Sequence, residues 1–178
     1  YDAFGRQVKD YLPFPSTQNT MNYIDGTTAR QSTDSHYQGI YNDNFPYSEK
    51  LLENSPLNRV LKQAAPGNAW ALGAGHDIKL DYQTNTASEV KYFKATANWN
   101  AGTGLYDISI ANPSNYGANQ LYKTVTKDEN WTSGNDNTTQ EFKNKEGQVV
   151  LKRTFGTSIV NAAPVNTNHD TFYVYDQF

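Results

Sequence analysis

The sequence predicts an all-β fold: antiparallel hairpins forming a twisted or coiled sheet, with long polar loops and little helix. Three observations carry that expectation. Apolar residues recur at every second position in most patterned stretches, which is the strand period. β-Branched and aromatic residues dominate these stretches, as pleated, half-buried surfaces prefer. One turn chemistry recurs between them, and it suits hairpins.

The strands come first. Ile78, Leu80 and Tyr82 alternate with Asp77, Lys79 and Asp81. Tyr106, Ile108 and Ile110 alternate with Asp107 and Ser109. Val149, Leu151, Arg153 and Phe155 form one face of a further strand, and near the end Phe172 and Val174 interleave with Tyr173 and Tyr175. Helix signals are few. The stretch 48–53 has room for a turn and a half, and Thr86 with Glu89 has the spacing of a capping box. Both soon run into turn-forming residues, so strands are expected there. The stretches 15–36, 111–120 and 130–139 are polar and read as loops.

The turns follow one rule. In Tyr1-Asp2-Ala3-Phe4-Gly5-Arg6, Asn54-Ser55-Pro56-Leu57-Asn58-Arg59 and Lys143-Asn144-Lys145-Glu146-Gly147-Gln148, the order is the same. Asp, Ser or Asn comes first, then two free positions, then Gly or Asn, then a long polar residue. The first residue can accept a backbone N–H two residues on. The fourth needs positive φ, which Gly takes without a Cβ clash and Asn tolerates next best. The turn-defining residues are therefore Asp2, Gly5, Arg6, Ser55, Asn58, Arg59, Asn144 and Gly147, and Tyr175-Asp176 opens a fourth turn. Gly5, Asn58 and Gly147 are expected to be left-handed corners that join antiparallel ribbons.

Composition narrows the function. The 178 residues fit one domain or a slab of a larger one, and at 37% hydrophobic its core is thin or shared. The 13 Tyr suit half-exposed sheets and sugar-binding surfaces. A net charge of −3 leaves no basic footprint for nucleic acid. The absence of Cys removes disulfides, thiolate metal sites and Cys nucleophiles. No run is long and apolar enough for a membrane-spanning helix, and no signal peptide is recognisable. The chain starts at Tyr1 and stops at Phe178 inside a strand pattern, so 1–178 is read as a single β-rich segment cut within repeats at both ends.

With its turns in view, the sequence resembles the RHS/YD-repeat proteins. Tyr1-Asp2-Ala3-Phe4-Gly5-Arg6 matches their Tyr-Asp-x-x-Gly-[Arg/Asn] hallmark, and Tyr175-Asp176-Gln177-Phe178 matches as far as it runs. Pro46-Tyr47-Ser48-Glu49, Ser55-Pro56-Leu57-Asn58-Arg59-Val60, Ala65-Pro66-Gly67-Asn68-Ala69-Trp70, Leu121-Tyr122-Lys123-Thr124 and Phe142-Lys143-Asn144-Lys145-Glu146-Gly147 are similar to the N-terminal region of the Bacteroidetes-type members. Asn130-Trp131 stands where that pattern has Asn-Gly, which leaves the tightness of that turn open. The resemblance implies a non-catalytic segment of a secreted or cell-surface, cell wall-associated protein. Its coiled sheet would form a hollow shell around a C-terminal toxin used in competition between bacteria. The partners implied are flanking repeats and the enclosed domain of the same polypeptide, in a monomer without cofactor or catalytic residue.

Other constellations weigh less. His36, His76 and His169 read as surface histidines, because neighbours such as His76-Asp77 point to opposite faces of a strand. A Ser35, His76, Asp170 triad can be written, but no nucleophile elbow accompanies it. Gly67, Gly73 and Gly75 read as a plain loop. Asp128-Glu129-Asn130 and Asn135-Asp136-Asn137 lack the oxygen ladder of a calcium loop. Trp70, Trp99 and Trp131 are expected to anchor loops on the sheet. The alternative is a carbohydrate-binding β-sandwich in which these three rings stack on surface glycans.

Overall fold

The computed structural model describes residues 1–111, 113–160 and 163–176, with backbone alone at 157–160 and 163–166. The chain is mostly β with one helix, and its eight-stranded sheet is open and antiparallel in its registered pairs. The residues gather into two compact units. One holds Tyr1–Leu80 with Lys127–Trp131, the other Asp81–Thr126 with Thr132–Phe178.

The first unit contains β1 (Lys9–Tyr11), α1 (Gly26–Tyr41), β2 (Tyr47–Leu52), β3 (Val60–Ala64) and the start of β4 (Ile78–Thr84). These strands pair in that order. Strand β2 occupies the short stretch with weak helix signal, as expected. Its core is small: Ala64, Ala71 and Pro46 are buried, and so is Asp77. Burial pushes the Asp77 carboxyl up, but Lys79 and Lys62, at 3.1 and 3.3 Å, outweigh it and hold it below the ordinary carboxylate range.

The helix corrects the loop expected over 15–36. Asp25 caps it, accepting from the N–H groups of Thr27 and Thr28 at 3.0 and 3.1 Å. Asn42 ends it in the left-handed conformation. Between the caps the sequence has no apolar stripe, and Thr33 is the buried residue. Contacts replace amphipathicity. The Tyr37 hydroxyl donates to Pro13 O at 2.9 Å, and the His36, Tyr37 and Tyr41 rings pack together.

The second unit takes the end of β4, then β5 (Lys91–Tyr92), β6 (Ala95–Asn100), β7 (Leu105–Ile110), β8 (Ser114–Asn115), β9 (Tyr122–Lys127, all but its last residue), β10 (Thr138–Lys143), β11 (Val149–Val160) and β12 (Ala163–Phe172). The strand order here runs β4-β9-β10-β11-β12. Strand β10 buries Thr138, Gln140 and Phe142 on one face with strict period two. Phe142 and Leu151 are fully buried and join Leu121, Val90 and Val150 in the core. Each such large side chain contributes about 1.5–3 kcal/mol by leaving water.

Two short pairs stand apart from the ladder. Strands β5 and β8 pair, and β6 and β7 form a two-stranded ribbon. Trp99 faces Tyr106, Ala97 faces Ile108 and Ala95 faces Ile110, so one ribbon face is wholly apolar. Two further expectations need correction. The Phe172–Tyr175 strand ends at Phe172, although Tyr173 N–H still donates to Val150 O at 3.1 Å. Around Thr86 and Glu89 there is neither strand nor helix. The capping-box bond forms, with Thr86 N–H donating to Glu89 Oε2 at 2.7 Å, but Ser88 turns to a φ of 62° and the chain leaves as a loop.

Candidate functional site

The turn-defining residues build three corners. In Asp2–Arg6, Asp2 N–H donates to Arg6 O and Gly5 N–H to Asp2 O, both at 3.0 Å. The Asp2 carboxylate accepts the N–H groups of Phe4 and Arg6, each at 2.9 Å. In Asn144–Gln148, Asn144 N–H donates to Gln148 O at 3.0 Å, Gly147 N–H to Asn144 O at 3.1 Å, and Gln148 N–H to Asn144 Oδ1 at 2.9 Å. In Ser55–Arg59, the Ser55 hydroxyl accepts Leu57 N–H at 3.2 Å. Gly5, Asn58 and Gly147 have φ of 71°, 59° and 83°. Asn58 turns β2 into β3, and Gly147 turns β10 into β11.

The side chains close the corners differently. Arg6 pairs with Asp2 at 2.6 Å, Arg59 with Glu53 at 2.6 Å, and Asn144 Nδ2 donates to Gln148 Oε1 at 2.8 Å. The Arg6 N–H bond is the main influence that holds the Asp2 carboxyl below its ordinary range. Arg6 also reaches the next corner. Its guanidinium donates to Ser55 O and Asn58 Oδ1 at 3.0 Å and to Glu53 O at 3.1 Å. Tyr175 lies beside the Gly147 corner, its hydroxyl donating to Val149 O at 3.0 Å. The fourth corner, past Asp176, lies outside the described residues.

In the second unit an open groove of about 470 Å³ adjoins the Gly147 corner. Tyr92, Tyr116, Tyr173 and Tyr175 supply rings to it. Lys94, Glu146, Gln148 and Asp176 supply polar groups. The Tyr92 and Tyr116 rings meet edge to face, 5.1 Å between centroids.

The tryptophans do not form that surface. Trp70 stacks on His76 at 5.1 Å, and Trp131 lies under Lys127 and Lys79 at 4.4 and 5.8 Å. Trp99 is exposed on β6 and packs edge-on against Tyr106. His36 lies on α1 and His169 on β12, while His76 Nδ1 is 3.1 Å from Glu129 O. Asp170 is taken by Arg153 at 2.7 Å. Among the described residues no three His, Asp or Glu side chains cluster as metal ligands. Asp128 instead makes a turn, accepting Asn130 N–H at 2.8 Å on its carboxylate and Trp131 N–H at 3.1 Å on its carbonyl.

Two arrangements escaped the sequence reading. Buried Asn85 accepts the N–H groups of Gln120 and Leu121 at 2.9 and 2.8 Å and donates to Thr86 O and Gly117 O at 3.0 and 2.7 Å. It thereby fastens the loop before β9. Over the buried Phe142 ring lie Lys123 and Arg153, paired with Glu89 at 2.6 Å and Asp170 at 2.7 Å. Burial pushes Glu89 up, but Lys123 and Thr86 outweigh it and hold its carboxyl low. Only the spacing Arg153 to Asp170 on two facing strands could have hinted at that clamp.

Residues 1–84 match the model of a family described as a domain of unknown function (DUF6443). The match takes in the first two corners and the Arg6 bridge between them. No curated protein and no solved structure matches the chain.

Proposed function

We propose that this chain is a non-catalytic structural segment of a secreted or cell-surface RHS/YD-repeat protein. It contributes to a β-shell that encloses a C-terminal toxin used in competition between bacteria. The observation that carries this reading is the Arg6 bridge. One Tyr-Asp-x-x-Gly-Arg corner supplies the guanidinium that satisfies the backbone carbonyls of Ser55, in the next corner, and of Glu53 just before it, 49 and 47 residues on. A device that fixes corner to corner suits a sheet extended hairpin by hairpin. The same backbone bonding at Gly147 supports it. The open strand order, with β1 and β12 at its ends, leaves edges for flanking repeats of the same polypeptide to pair with.

The test is electron cryomicroscopy of the whole polypeptide that its gene encodes. The expected result is a continuous coiled sheet around a cavity, with strands from flanking repeats paired to β1 and β12. A chain tethered by linkers, with nothing paired to either edge, would refute the reading.

A further inference from the structure

We propose that the tyrosine-lined groove of the second unit binds a neutral oligosaccharide. The rings come first. Tyr92, Tyr173 and Tyr175 line the groove and are 39%, 44% and 44% exposed, so each leaves ring surface for a ligand. Tyr175 is held by its hydroxyl bond to Val149 O, and Tyr92 by its contact with Tyr116. Exposed aromatic faces take the C–H surface of a sugar ring.

The polar groups then set the ligand class. Lys94 and Lys145 share the groove with Glu146 and Asp176, so neither sign of charge prevails and no anion or cation is selected. Gln120 and Gln148 line it with amides whose oxygens are engaged by Gly117 N–H and Asn144 Nδ2, which turns their NH2 groups to donate to a row of hydroxyls. Asn144 and Gln148 are already positioned by the corner's own bonds, so little ordering remains to be done on binding. The volume is within the usual range of ligand sites, about 300–1,000 Å³. Its openness to solvent suits an extended chain of sugars.

The test uses the full chain with four neutral probes: cellohexaose, chitohexaose, xylohexaose and maltohexaose. Calorimetric titration should show saturable binding of at least one. Tyr92→Ala and Tyr173→Ala should each weaken it by about tenfold or more, as loss of a stacking anchor does. Tyr173→Phe should keep it, and Trp99→Ala should leave it unchanged. On the unmodified chain, the amide resonances of Gly147, Gln148 and Tyr173 should move with the same saturation. That measurement decides the matter even where an alanine variant fails to fold. Absence of binding by all four probes, or shifts confined to β6 and β7, would overturn the proposal.

Discussion

The corners at Gly5 and Gly147 have the same backbone bonds to within 0.1 Å, but one is closed by an ion pair and the other by two amides. Asp2 and Arg6 in the first stand where Asn144 and Gln148 stand in the second. The bend is therefore a property of the backbone and of the one side chain that accepts its N–H groups. Charge is an addition, and its use is outward: Arg6 spans to the Ser55 corner, whereas the Gln148 amide oxygen is turned back to Asn144.

The strongest way to break the comparison is to strike what both corners share. Gly147→Val puts a β-branched residue at a φ of 83°, where open space around the Cβ leaves backbone strain as the only cost. Urea unfolding should show a loss of about 2 kcal/mol, and Gly147→Asn should cost well under half of that. Next comes what they do not share. Arg6→Ala removes the bonds to the neighbouring corner and should cost about 1–2 kcal/mol, while Gln148→Ala should cost about 0.5 kcal/mol. A double-mutant cycle of Arg6→Ala with Asn58→Gly should reveal coupling, because Asn58 Oδ1 is one of the lost acceptors.

Acid sharpens the contrast further. The folded Asp2 carboxyl titrates below its ordinary value of 3.8, so its stabilisation is complete above the unfolded carboxylate range and is lost as pH falls through the folded value. Amide resonances of Phe4 and Arg6 should titrate there, and that of Gln148, which donates to the neutral Asn144 amide, should not. The Asp2→Asn, Arg6→Gln double substitution should abolish that titration. The smallest effect is expected for Asn58→Gly alone. Relief of the side chain's left-handed strain offsets the lost acceptor, and the unfolding midpoint should shift by the equivalent of about 0.5 kcal/mol or less.

The corners were legible because each is written in consecutive residues with fixed chemistry. So were β4, β7 and the start of β11, where β-branched and aromatic residues alternate. Helix α1 was not, since its stability comes from the Asp25 cap and the Tyr37 bond to Pro13, and neither leaves a period. Strand β12, largely polar over Ala163–Phe172, is held by pairing with β11. The groove is assembled from four separate stretches, and no local pattern joins Tyr92 to Tyr173. Asn85 was invisible for the opposite reason: one polar residue in a loop carries no signal until the N–H groups it satisfies are known.

The two middle positions of the three described corners are solvent-facing and chemically unlike: Ala3 and Phe4, Pro56 and Leu57, Lys145 and Glu146. The hydrogen bonds that close the corners do not use their side chains, and the Phe4 ring adds only a contact 4.8 Å from the Arg6 guanidinium. Mutational drift can repaint this rim, altering what an antibody or a phage would meet, while the scaffold beneath stays the same. A fluorophore or an epitope tag placed there should be borne with equally little disturbance.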